Sequence, residues 1–176
     1  MKSLAFAILL LGGTALFAPD GLAQGQPSTA ARPTMPAPAT DTFLTKVAAG
    51  NTFEIESSKL ALGKKPKKEV ADFANMMIKD HGEAGAKFKK AVADAKLKAP
   101  PDEMDAKHKK LQEDLAKKNG ADFEKSYIAA QRDGHKETVE LFEAYAAGGD
   151  NARMKQFAQE LLPTLRKHLD HVAKLN

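Results

Sequence analysis

The sequence predicts an all-α protein built around a four-helix bundle. Alanine, lysine and leucine are abundant, tryptophan is absent and aromatic residues make up only 6% of the chain, a composition that favours helix over sheet. Apolar residues recur at spacings of three and four in four long segments, which is the period of one buried helix face. Glycine and proline separate these segments. The 43% hydrophobic and 28% charged content is typical of one soluble domain with appendages.

Residues 1–23 are interpreted as a signal peptide. Lys2 precedes an apolar run over residues 4–18, which is too short to span a bilayer, and Gly21-Leu22-Ala23 offers the small-residue pattern that a signal peptidase needs. Cleavage after Ala23 would place the mature protein in the periplasm; the alternative is an N-terminal membrane anchor. Residues 24–40 are rich in Pro, Ala and Thr and are expected to form a flexible linker to a bundle domain at residues 41–176.

Composition narrows the function classes. The chain has no cysteine, which excludes disulfides, thiolate metal ligands and a cysteine nucleophile. The formal charge of +4 and a lysine-rich second helix favour at most weak contact with anionic envelope surfaces. We do not expect nucleic-acid binding, because no exposed aromatic residues are interleaved with the lysines and the predicted location is extracytoplasmic.

The predicted helices follow in order. We expect long helices over residues 41–62, 67–97, 121–147 and from 151 onward, with a short helix over residues 102–118. Asp41 and Asp102 are the expected N-caps of the first long helix and the short helix. Pro163 lies inside the last helix and predicts a kink or a break there.

The short helix influences the predicted topology. The segment between the second and third long helices is long enough to carry the chain from one end of the bundle to the other, which a tight turn cannot do. The sequence therefore predicts a ferritin-like four-helix bundle, with an extra short helix in the crossover between long helices 2 and 3.

One polar residue from each long helix lies on or beside the apolar stripe of that helix. These residues are Glu54, His81, His135 and His168. Three imidazoles and a carboxylate suit a first-row transition metal ion such as Zn, Fe, Mn or Cu. The same residues would also fit a structural hydrogen-bond network with Asp80 and Gln131 as partners, or histidines that reach solvent at a bundle end.

Motifs of known catalytic sites are missing from the sequence. Di-iron bundles use Glu-x-x-His on two helices, whereas here Ile78, Arg132 and Leu165 stand three residues before the three histidines. No Ser-His-Asp arrangement, glycine-rich phosphate loop or pair of catalytic carboxylates is recognisable. The sequence therefore favours a non-catalytic protein.

Four motifs carry a resemblance to a known family. The segments FEIESSKLAL, VADFANMMIKDH, ADFEKSYIAAQRDGHKETVELFE and FAQELLPTLRKHL resemble domain-of-unknown-function family 4142, over about residues 41–173. The resemblance implies an exported bacterial protein with a ferritin-like bundle, of a kind often labelled as outer-membrane proteins. It also implies that Glu54, His81, His135, Pro163 and His168 occupy characteristic positions of the family.

Two hypotheses for the function follow. The first is a non-catalytic periplasmic bundle that acts in envelope maintenance or stress tolerance. The second is a metal-binding bundle that stores, buffers or uses a redox ion held by the Glu/His cluster.

Overall fold

The computed structural model describes residues 36–175. They form five helices: α1 (Thr40–Gly63), α2 (Lys68–Asp94), α3 (Ala106–Ala116), α4 (Gly120–Gly148) and α5 (Ala152–Val172). This part of the chain contains no strand, so the all-α prediction is confirmed. None of its helices is both long enough and apolar enough to cross a membrane. The predicted signal peptide and most of the predicted linker lie outside the described residues.

Two of the predicted N-caps are wrong. Ala39 precedes α1, and Asp41 lies in its first turn, where its charge favours the positive end of the helix dipole. The short helix α3 begins after Asp105, whose carboxylate accepts a hydrogen bond from the backbone N–H of His108 at 2.9 Å. Asp102 instead pairs with Lys89 of α2 at 2.5 Å.

Pro163 does not break α5, which continues from Ala152 to Val172, so the prediction of a break is wrong. The Pro163 side chain is exposed, whereas Leu161, Leu162 and Leu165 on either side of it are buried. Packing of these leucines compensates for the backbone hydrogen bond that proline cannot donate.

Helices α1 and α4 lie side by side and run in opposite directions. Phe43, near the start of α1, stacks on Tyr145, near the end of α4, with ring centroids 3.9 Å apart. Toward the other end, Ser58 of α1 is hydrogen-bonded to the Tyr127 hydroxyl of α4 at 2.8 Å. Helices α1 and α4 are therefore in contact along most of their length.

Helices α2 and α5 form a second antiparallel pair. The Phe73 ring of α2 lies 5.3 Å from the His171 ring of α5, and Phe88 lies 5.6 Å from Phe157. The short links α1–α2 and α4–α5 add two helical hairpins. Helix α3 packs against α1 and α4.

The apolar core is divided into two clusters. One surrounds Phe43, Phe142 and Phe157, and the other surrounds Phe73 and Tyr127. Along α2, α4 and α5, the residues of one cluster give way to those of the other at a single histidine on each helix. A polar layer therefore separates the two apolar halves.

Replacing Pro163 with alanine should stabilise the protein. Alanine would restore the missing backbone donor in a helix that is already continuous, so we expect the free energy of unfolding to rise by about 1–3 kcal/mol. Urea unfolding would measure the change, with Lys167→Ala at another exposed position of α5 as the matched control. An unchanged or lower stability of Pro163→Ala would show that the proline conformation is favoured in the folded helix.

Candidate functional site

Three histidines from three helices meet in the polar layer. The ring centroids of His81 (α2), His135 (α4) and His168 (α5) are 5.4–5.6 Å apart. One ring nitrogen from each lies within 4.8 Å of the other two. The three residues are at most 6% exposed. The structure thus brings together the three histidines singled out from the helix stripes.

Each imidazole is held from outside the cluster by one hydrogen bond. The bonds join His81 Nδ1 to Asn51 Oδ1 at 3.1 Å, His135 Nδ1 to the Gln131 carbonyl oxygen at 2.8 Å, and His168 Nε2 to Asp80 Oδ2 at 3.0 Å. All three partners are acceptors, so the histidine nitrogen is the donor in each bond. A neutral ring that donates through one nitrogen carries a lone pair on the other.

The second nitrogen of each ring is buried without a hydrogen-bond partner among the described residues. These atoms are His81 Nε2, His135 Nε2 and His168 Nδ1. A buried acceptor without a partner costs about 1–3 kcal/mol. A closed hydrogen-bond network would pair these atoms, whereas a cluster that binds a ligand keeps them available.

Burial keeps all three imidazoles neutral at neutral pH. It lowers the pKa of His81 well below its usual value, with the neighbouring imidazoles adding to the effect. It lowers the pKa of His135 to about 4, against the favourable hydrogen bond to the Gln131 carbonyl. The pKa of His168 is also lowered by burial, although the Asp80 carboxylate opposes this. The lone pairs are therefore not blocked by protons.

Glu54 lies beside the histidines and not among them. Its Oε1 is 3.8 Å from His135 Nδ1, and it does not belong to the group of mutually close ligand atoms. The residue is 5% exposed, and burial raises the pKa of its carboxyl group to about 8, against the opposing effect of the nearby Gln131 side chain. The carboxyl group is therefore mostly protonated at neutral pH in the protein without an ion.

Two glycines make room for the α1 side chains at this level. A Cβ atom on Gly85 of α2 would lie 3.0 Å from Asn51 Nδ2, and a Cβ atom on Gly134 of α4 would lie 3.2 Å from Glu54 Oε1. Both distances are tighter than ordinary contacts. These glycines let Asn51 and Glu54 enter the polar layer from α1.

Sequence reasoning missed Asn51 and misjudged the role of Gln131. Asn51 lies at the edge of the α1 stripe, and its only signal was a position three residues before Glu54. The Gln131 side chain donates to Ser57 Oγ at 3.0 Å, while its backbone carbonyl holds His135. Asp80, the other suggested partner, does bind a histidine.

A comparison with models of protein families identifies the family of this chain. The model of a family described as "Domain of unknown function (DUF4142)" matches residues 25–175. The chain belongs to this family. The resemblance inferred from the four motifs is thereby confirmed. Neither the curated proteins nor the solved structures gave a significant match. Because the family description assigns no activity, the function must be argued from the geometry.

The stability of the metal-free protein should be greatest near pH 6.5. The histidine pKa values lie below 6.5 in the folded state, so the unfolded chain binds more protons and stability is lost as the pH falls through this range. The pKa of Glu54 is raised from 4.5 to about 8, so its contribution is lost as the pH rises from 4.5 through 8. Between pH 4.5 and pH 6.5, the stability lost through the three histidines as the pH falls is larger than the stability gained through Glu54.

Urea unfolding across this pH range, with a chelator present, would locate the maximum. Glu54→Gln keeps a neutral side chain of similar shape and should flatten the alkaline side of the curve. It should also steepen the acid side above pH 4.5, because the opposing contribution of Glu54 is removed there. An alkaline loss of the same size in this variant would contradict the assignment to Glu54.

Proposed function

We propose that the protein binds one first-row transition metal ion through His81, His135 and His168. The observation that carries this proposal is that the two nitrogens of each ring have different environments. One nitrogen donates to a fixed acceptor, and the other is buried, neutral and without a partner among the described residues. Histidines that bind metals are usually held in this way, because the outer hydrogen bond fixes the tautomer and orients the ring.

The spacing of the nitrogens is close to what an ion needs. Metal–nitrogen bonds of about 2.0–2.1 Å require ligand nitrogens about 3.4–3.6 Å apart. The three nitrogens are now within 4.8 Å of one another, so each would move inward by roughly 0.7 Å at most. Small rotations of the rings supply such a movement without any change in the helices.

The chemistry of the ligands selects the class of ion. Neutral imidazoles suit Zn, Cu and Fe and, less strongly, Mn, whereas Mg and Ca prefer sets of oxygen ligands. Negative charge to offset a buried cation is close by, because the Asp80 carboxylate holds His168. The Glu54 carboxyl group, 3.8 Å from His135, would add a second negative charge if it released its proton when the ion binds. Because one cluster holds one ion per chain, it suits use or buffering of the ion better than bulk storage.

We further infer a ferritin-like topology for the bundle. In support, two helical hairpins are joined by a long segment that contains α3, and each hairpin pairs with the other in antiparallel fashion. The absence of Glu-x-x-His from the sequence argues for a mononuclear site and against a di-iron centre.

The proposed setting is the periplasm, where a role in envelope maintenance or stress tolerance would fit a protein that holds a transition metal. Lys2, the apolar run over residues 4–18 and the small-residue site ending at Ala23 support export. A protein that binds the ion without catalysing a reaction needs no site residues beyond the three histidines.

Metal titration of the mature protein should show one binding site that depends on the histidines. We expect about one equivalent of zinc in the wild type and at least 100-fold weaker binding in His81→Ala and His168→Ala, because each variant removes one of three ligands. Asp80→Asn keeps all ligands but weakens the hold on His168, so binding should fall by about 10–100-fold.

His108→Ala is the matched control. His108 lies outside the cluster, where it is hydrogen-bonded to Asp105 at 2.8 Å, and its loss should leave zinc affinity unchanged. Isothermal titration and elemental analysis would provide the measurements. Equal zinc binding by the wild type and both cluster variants would exclude the proposed site.

Export predicts a mature protein that begins at Gln24 and is recovered in the periplasmic fraction. N-terminal sequencing of the purified protein would test this. An Ala23→Arg variant should remain unprocessed, because a signal peptidase requires a small residue there. Wild-type protein that keeps Met1 and fractionates with membranes would favour the alternative of an N-terminal anchor.

A further inference from the structure

A cavity adjoins the histidine cluster, and residues of all four long helices line it. Its volume is about 40 Å³, and it is bounded by His81, His135 and Glu54 together with Gly50 and Asn51 of α1. It therefore brings the edge of the cluster into contact with open space inside the bundle. The role inferred for this cavity rests on the proposed metal site.

The cavity touches two of the three proposed ligands of the ion, His81 and His135. The three ligands come from α2, α4 and α5, and α1 contributes none. An ion with three protein ligands keeps a fourth position for an exogenous ligand. The cavity is bounded by two of the three imidazoles and by residues of all four long helices, so a molecule inside it would lie against the edge of the cluster.

The size and lining of the cavity limit what can occupy it. One water needs about 10–15 Å³ measured in the same way, so 40 Å³ admits a molecule of two or three non-hydrogen atoms. Most of the wall is apolar, made up of Val47, Phe88, Leu141, Phe142, Phe157, Leu161 and Leu165. Such walls disfavour a charged or strongly hydrated ligand.

A surface groove lies next to the cavity. It has a volume of about 760 Å³, and residues of α1, α3 and α4 line it. The groove and the cavity share Lys46, Gly50, Glu54, Thr138 and Leu141. Gly50 is the one shared residue without a side chain, and a Cβ atom there would meet nothing within 4 Å. Gly50 is therefore the shared position at which no side chain stands between the groove and the cavity.

We propose that the metal centre takes a small uncharged molecule of two or three atoms, of the class of diatomic gases, which reaches the ion from the groove past Gly50. The three histidines hold the ion, the apolar wall selects the ligand by size and charge, and the gap at Gly50 admits it.

Nitric oxide binding to the iron(II)-loaded protein, prepared without oxygen, tests this proposal. Elemental analysis reports iron content, and electron paramagnetic resonance and absorption report the nitrosyl complex. We expect one nitric oxide per iron. Azide, which is small but charged, and tert-butyl isocyanide, which is uncharged but bulky, should each bind at least ten-fold more weakly than nitric oxide.

Gly50→Leu places a side chain in the route without touching a ligand, so iron content should be unchanged while the association rate of nitric oxide falls at least ten-fold. Gly82→Leu is the matched control: it is also a glycine inside a helix with open space around it, is exposed, and lines neither the cavity nor the groove. Its nitric oxide kinetics should equal those of the wild type.

The outcomes separate this inference from the proposed function. Bound iron without a nitrosyl signal, equal binding of the bulky or charged probe, or unchanged kinetics in Gly50→Leu would each overturn the inference and leave the metal site standing. Failure to retain iron while zinc still binds would also overturn the inference alone. Failure to bind either metal would overturn both.

Discussion

The bundle depends on the way in which it buries three imidazoles. An imidazole has two polar nitrogens, and each must be accounted for when water is removed. Here the outer nitrogens are bound by an amide, a backbone carbonyl and a carboxylate, and two of these bonds tie α1 to α2 and α2 to α5. The division of the apolar core into two halves and the glycines opposite Asn51 and Glu54 follow from the need to fit this layer.

A second polar group in the core shows what a structural network looks like in this protein. The Ser58 hydroxyl pairs with Tyr127, and the Gln131 side chain donates to Ser57. In these pairs buried groups bind each other directly across helices. The histidines differ because each binds a partner outside the cluster through one nitrogen, while its second nitrogen is buried without a partner among the described residues. The first group fastens α1 to α4, whereas the second leaves three buried ring nitrogens for the proposed ion.

The helices and the histidine faces could be predicted from the sequence because apolar spacing reports which face of a helix is buried. Height along the bundle is not encoded in that spacing, so the meeting of the histidines at one level required the fold itself. The α1 stripe was harder to predict: Ile55 fits the apolar pattern but is only half-buried, whereas Ser57 and Ser58 are fully buried. The hydropathy pattern does not show that a polar residue is buried when its partner lies on another helix. Asn51 escaped prediction for the same reason, since its contact is with α2.

The distribution of the histidines over the helices has a consequence for biosynthesis. His81 belongs to the first hairpin, whereas His135 and His168 belong to the second, and His168 is carried by the last of the five helices. A chain still being made therefore presents one imidazole, then two, and forms no chelating centre until α5 has docked. The proposed ion is then chosen by the metal supply of the compartment in which folding ends.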